Sequence, residues 1–231
     1  MNRVLAVARL QAVGRRDGLL WPLVILGIAF AVNLFVFGSM GDEIGDRPVT
    51  GGLASVYITG LAFGAVAVAQ QFPFALGLSV TRREFAIALG LFTLAQTAIY
   101  AVLLVVLQAV EHATDGWGLR LRFFGLGLID GYGVPTQLLI YGAPMLLMSL
   151  IGITLGTVYV RWRTNGVFGG ICAVVLVLGL AAGLVTKYGR WPAVGDWLAD
   201  QSALSLFAGW PSLVAVLLAL LSWTALRRAT P

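Results

Sequence analysis

The sequence predicts an all-α integral membrane protein with six transmembrane helices and both termini in the cytoplasm. Of the 231 residues, 59% are hydrophobic and only 11% are charged, which leaves too little polar surface for a water-soluble domain. The apolar residues fall into six stretches, each near the roughly 20 residues that an α-helix needs to cross a bilayer. We expect helices in these stretches because a helix satisfies its own backbone hydrogen bonds inside lipid.

We predict that the whole chain, 1–231, forms a single transmembrane domain. Residues 1–18 place Val4, Leu5 and Ala8 on one helical face with Arg residues mostly off it, which predicts an interfacial amphipathic helix on the membrane surface. The first apolar stretch is longer than the core of a signal peptide, so we expect it to be retained as a span. The predicted spans are 19–38, 53–74, 85–110, 136–160, 166–186 and 205–226.

The distribution of charge predicts the orientation. With both ends inside, ten of the 15 Lys and Arg residues lie in predicted cytoplasmic segments, whereas eight of the ten acidic residues lie outside. This bias follows the positive-inside rule. The net charge of +5 therefore indicates membrane topology rather than nucleic-acid binding. We expect membrane lipid, and no nucleic acid, among the partners.

The sequence lacks the residue patterns of an enzyme. No ionisable residue falls deep inside a predicted span, and one His and one Cys do not make a convincing metal site. There is no phosphate-loop motif, and no paired carboxylates or Ser/His/Asp constellation. We therefore expect no catalytic residue, no metal and no cofactor bound by this chain.

Neutral amide side chains are the polar groups that remain inside the predicted bundle. One interpretation is that they form hydrogen bonds between helices. The other is that they line a weakly polar path, which would suit an uncharged or amphiphilic cargo better than an inorganic ion. The candidate residues for such a path are Asn33, Gln96 and Gln137.

The connection between the second and third predicted spans carries three consecutive charges, Arg82-Arg83-Glu84. One interpretation is a short loop whose charges only obey the positive-inside rule. However, residues 72–85 read Phe-Pro-Phe-Ala-Leu-Gly-Leu-Ser-Val-Thr-Arg-Arg-Glu-Phe. With the predicted topology, this stretch resembles type-2 ABC exporter permeases, in which the end of a helix leads into a cytoplasmic coupling helix. Ser79 stands where that family often has glycine.

The resemblance implies a permease subunit that pairs with separate cytoplasmic ABC ATPase subunits, which would bind ATP and Mg. It also implies a second permease chain, most simply a homodimer around the substrate path. The coupling segment would cover about 75–86, with three apolar side chains entering a groove on the ATPase and the charged residues fixing the register. The docking residues would be Leu78, Val80, Thr81, Arg82, Arg83, Glu84 and Phe85.

The function expected from this resemblance is ATP-driven export of a drug, an antibiotic or a lipid across a bacterial inner (plasma) membrane. The alternative is a membrane scaffold or immunity protein that transports nothing and binds a partner. A neighbouring gene for a soluble protein with a phosphate loop would favour the exporter.

Overall fold

The computed structural model describes residues 16–40, 50–125, 127, 129 and 131–228. Apart from residues 16–18, which begin the first helix, the predicted surface helix over 1–18 lies outside the described residues. Two π-helical turns, Gly116–Arg120 and Ser205–Gly209, lie between the α-helices. The α-helices of the described part are α1 Arg16–Met40, α2 Ala54–Gly77, α3 Arg82–Ala113, α4 Val134–Lys187, α5 Trp191–Ala199 and α6 Trp210–Arg228.

Five helical segments among the described residues are long and apolar enough to cross a membrane. This confirms the prediction of a helical chain with several spans of membrane length. Helix α2 ends three residues beyond the predicted span 53–74, and α3 extends three residues beyond the predicted span 85–110 at each end. The five segments are Leu19–Met40, Ala54–Gly77, Arg82–Ala113, Val134–Lys187 and Ser205–Leu226.

Helix α4 unites two stretches that the sequence predicts as separate spans, 136–160 and 166–186. It has 54 residues and is interrupted at Arg163, whose φ of 55° and ψ of −155° are not helical. A left-handed φ at a single residue turns the chain without a loop. We refer to residues 134–162 as α4a and to residues 164–187 as α4b.

Helices α2 and α4a cross at closely opposed glycines. A Cβ atom built on Gly64 would collide with the carbonyl oxygen of Ser149, and one built on Gly152 would collide with the carbonyl oxygen of Leu61. At Gly156 the built Cβ would lie 2.6 Å from the carbonyl oxygen of Ala65. Small residues four apart therefore bring these two backbones into contact, as their spacing predicts for packed membrane helices.

The bundle has two apolar cores, one toward each end. Phe72, Phe85, Leu89, Val160 and Leu226 belong to the first core. It lies at the end where α3 begins and α4a stops, which we call the basic end because Arg82, Arg83, Arg161 and Arg163 are there.

The second core lies toward the opposite end, which we call the loop end because residues 114–133 connect the helices there. It contains Leu26, Leu53, Val56, Phe124 and Tyr141. The hydroxyl of Tyr100 donates to the carbonyl oxygen of Leu19 at 2.6 Å. Since Tyr100 lies 18 residues along α3 from Arg82, about 27 Å by helix rise, α1 packs on the half of the bundle nearer the loop end.

Candidate partner-docking site

The connection between α2 and α3 is a four-residue turn, 78–81. The amide of Leu78 donates to the carbonyl oxygen of Phe74, and the amide of Val80 donates to that of Ala75, so the last carbonyls of α2 are satisfied. Ser79 has a φ of 60°, a left-handed conformation that costs a residue with a side chain roughly 1–2 kcal/mol. Glycine would adopt it without that cost.

A capping box begins α3 at the end of this turn. The amide of Glu84 donates to Oγ1 of Thr81 at 3.2 Å, and the amide of Thr81 donates to Oε2 of Glu84 at 3.0 Å. Two amides without a partner inside the helix are thereby satisfied. The glutamate also lies in the first turn of α3, where a negative charge is favoured by the helix dipole. Residues 75–86 are therefore the end of α2, the turn and the start of α3.

The predicted docking residues divide into those that present a surface and those that support it. Phe85 is 1% exposed, and its ring packs edge-on against Phe72 with the centroids 5.3 Å apart. Glu84 is occupied by the capping box, and Val80 packs against the apolar core of the basic end. The exposed residues of this stretch are Leu78, Ser79, Thr81 and Arg83, whereas Arg82 is half-buried.

The candidate path residues Asn33, Gln96 and Gln137 have separate local environments. Asn33 donates from Nδ2 to the carbonyl oxygen of Ala29 in its own helix at 2.8 Å. Gln137 donates from Nε2 to the carbonyl oxygen of Tyr132 at 2.9 Å and so ties the loop to the start of α4. Gln96 is buried, with 6% of its surface exposed, and lies in the middle of α3.

The loop end contains a buried carboxylate that the sequence did not single out. Oε2 of Glu111 accepts from the amides of Phe123 at 2.8 Å and Phe124 at 2.9 Å, and from Nε1 of Trp117 at 3.3 Å. Oε1 accepts from the amide of Gly125 at 2.7 Å. Four donors around one carboxylate hold the loop against the end of α3, so the role of Glu111 is to anchor this loop.

The described part of the chain holds no group of three or more His, Cys, Asp or Glu side chains placed to bind a metal ion.

An apolar groove of about 670 Å³ runs along α1 and α2, and Trp21, Ile25, Ile58 and Phe63 are among the residues that line it. Its lining offers little hydrogen bonding, so the groove suits an apolar chain.

Comparisons with known proteins give no relative. No protein-family model matches the chain, and neither a curated protein nor a solved structure is significantly similar to it.

Proposed function

We propose that this chain is the membrane permease subunit of an ATP-driven exporter of the type-2 ABC kind. The observation that carries the proposal is the turn at 78–81, which exposes Leu78, Thr81 and Arg83 on a base fixed by the Phe72–Phe85 contact and the Thr81–Glu84 capping box. A surface held in one geometry by buried packing and caps loses little conformational entropy when a partner binds.

The geometry of this turn also explains how it could transmit force. Helices α2 and α3 join there over four residues, and α2 is locked onto α4a by the glycine crossing. A push by a partner on the turn would therefore move packed helices as rigid bodies rather than bend a loop. Transport driven by a soluble ATPase needs that kind of coupling.

We further propose six crossings of a bacterial inner membrane with both termini in the cytoplasm. A 54-residue helix such as α4 would measure about 81 Å at 1.5 Å per residue, far more than the roughly 30 Å of the hydrocarbon core. Counting α4a and α4b as two spans, divided at Arg163, gives six. The basic end then faces the cytoplasm, because the positive-inside rule favours Arg residues there.

A second copy of the chain is the proposed partner of α4b. Residues 168–184 are all exposed, whereas the other four membrane-length segments each have buried residues. Built Cβ atoms on Gly170, Gly179 and Gly183 meet nothing within 4 Å among the described residues. The backbones of α2 and α4a occupy the space beside each other's glycine pairs. The space beside the glycines of α4b is open, which leaves room for a helix from another chain.

The proposed cargo is uncharged or amphiphilic, because the candidate path residues Asn33, Gln96 and Gln137 are neutral amides. ATP and Mg would be bound by the partner ATPase. This chain would supply half of a transport path and no catalytic residue.

Affinity purification of the chain from its native membrane tests this function. We expect a soluble protein with a phosphate-loop motif to co-purify and the complex to hydrolyse ATP. Native mass spectrometry should give two permease chains with two ATPase chains. A chain that purifies without any nucleotide-binding protein would favour the scaffold alternative, and a single permease chain in an active complex would refute the dimer.

A further inference from the structure

A small cleft opens between α4a and α6 near the basic end. It has a volume of about 240 Å³ and is lined by hydroxyl groups on both helices together with Arg161. This volume lies below the roughly 300–1,000 Å³ of pockets that enclose a whole drug-sized molecule. The cleft therefore fits a headgroup or a small polar fragment better than a complete cargo.

Hydroxyl oxygens in this cleft remain available as hydrogen-bond acceptors. Thr154 donates to the carbonyl oxygen of Leu150 at 2.7 Å, and its hydroxyl shares a 2.9 Å hydrogen bond with that of Ser222, in which either oxygen can be the donor. Thr157 donates to the carbonyl oxygen of Ile153 at 2.8 Å. A hydroxyl has one proton and two acceptor sites, so each of these groups can still accept a hydrogen bond. Thr157 and Ser222 are also buried.

Arg161 supplies a positive charge at the mouth of the same cleft. Its Cζ lies 4.5 Å from the ring centroid of Trp162, and both residues are exposed. Arg over an exposed Trp at the end of a membrane-length helix is typical of the headgroup region. A guanidinium there binds phosphate oxygens through two parallel hydrogen bonds.

We propose that this cleft binds the headgroup of a membrane phospholipid of the phosphoethanolamine type. The phosphate lies against the guanidinium of Arg161, and the ammonium group donates to the hydroxyl oxygens of Thr157 and Ser222. A primary ammonium has three N–H donors, whereas a choline headgroup has none. Basic pockets between transmembrane helices are known places for lipid headgroups.

The acyl chains have a path out of the cleft along α6. Leu221 lines the cleft, and Leu217 lies one turn away on the same face. Both are exposed, at 60% and 52%. When the protein is extracted from the membrane, a lipid tail lying along these two leucines would keep their apolar surface from contact with water. This favours a lipid over a free phosphate compound as the source of the headgroup.

Native mass spectrometry of the detergent-purified full chain tests the proposal without any ATPase. Phosphatidylethanolamine and phosphatidylcholine with identical acyl chains are added in parallel, and the fraction of chain that retains lipid is measured. We expect about tenfold stronger retention of phosphatidylethanolamine, because hydrogen bonds to charged groups are the strong ones. Arg161→Gln should reduce the retention of phosphatidylethanolamine about tenfold. Ser222→Ala should reduce the ratio of retained phosphatidylethanolamine to retained phosphatidylcholine. Arg163→Gln is the matched control, since Arg163 is exposed at the same end and does not line the cleft.

Equal retention of the two lipids by the unaltered chain would overturn the proposal, and so would full retention by the Arg161→Gln chain. Size-exclusion chromatography identifies a variant that fails to fold. In that case the comparison of the two lipids on the unaltered chain is by itself the test of the proposal. Inorganic phosphate and phosphoethanolamine are added in excess as competitors. Displacement of the lipid by either would show that the site recognises a free phosphate compound, against the lipid assignment.

Discussion

The ring of Phe85, the fourth residue of α3, packs against the ring of Phe72, five residues before the end of α2, with centroids 5.3 Å apart and planes at 66°. This edge-to-face pair closes the base of the turn that joins the two helices. Both side chains are buried, at 1% and 0% exposure. The charged stretch that follows the turn is therefore held by the core on one side, and Arg83 is exposed on the other.

Phe85 and Leu78 should behave differently when truncated. Phe85→Ala removes a buried ring and should lower the free energy of unfolding by about 3–5 kcal/mol. Leu78→Ala removes a side chain that is 58% exposed and should leave stability nearly unchanged while weakening the partner's binding. Thermal unfolding in detergent and co-purification of the ATPase measure the two effects. Comparable stability of the two variants would mean that Phe85 does not support the turn.

Glu111→Gln should destabilise the loop end. A glutamine offers one acceptor oxygen in place of two. Its amide N–H₂ would face backbone N–H groups that now donate hydrogen bonds to the carboxylate. Leaving a buried donor unsatisfied costs about 1–3 kcal/mol. We expect a lower unfolding temperature and faster proteolysis between residues 114 and 133.

Asp115→Asn is the control for this change, because Asp115 lies four residues further on and is exposed. It should leave both the unfolding temperature and the proteolysis unaffected. If Glu111→Gln is as stable and as resistant as the unaltered chain, the carboxylate does not hold the loop.

Gly152→Ala should disrupt the crossing of α2 and α4a. The added methyl group would collide with the backbone at Leu61, which a side-chain rotation cannot relieve, and overpacking of this kind typically costs about 1–3 kcal/mol. Gly169→Ala is the matched control, since nothing lies within 4 Å of its built Cβ among the described residues. Thermal unfolding of the two variants compares them directly, and equal unfolding temperatures would contradict the close crossing.

The single cysteine provides a test of the proposed dimer. Cys172 is exposed and lies 7 and 11 residues before Gly179 and Gly183, which places all three on one face of α4b, two and three turns apart. A short bis-maleimide should therefore link two chains and double the 24.5 kDa mass. Moving the thiol to the opposite face, as Cys172→Ala with Ala181→Cys, should largely abolish the product. Equal linking from both faces, or none from Cys172, would count against this interface.

Much of the fold was predictable from the sequence, because the length and composition of an apolar stretch determine whether it can cross a membrane. The spacing of Gly152 and Gly156 indicates close helix packing, but it does not indicate that α2 is the partner. The site was less predictable. From the sequence, Phe85 is predicted to be a docking residue beside charged neighbours. In the structure it is buried, because the register of α3 against α2 places its ring against that of Phe72. The partners of Glu111 are mostly backbone amides 12 to 14 residues away, which no side-chain pattern reveals.

The most direct test of the docking turn is charge reversal with Arg82→Glu and Arg83→Glu. Arg83 is exposed and Arg82 half-buried, so the pair can be changed without emptying the core, and reversed charges repel a partner shaped to receive positive ones. Co-purification of the ATPase with the tagged chain is measured, together with the elution profile of the permease alone. The account predicts loss of the ATPase while the permease elutes as a folded species. Unchanged co-purification with unchanged ATP turnover would contradict it.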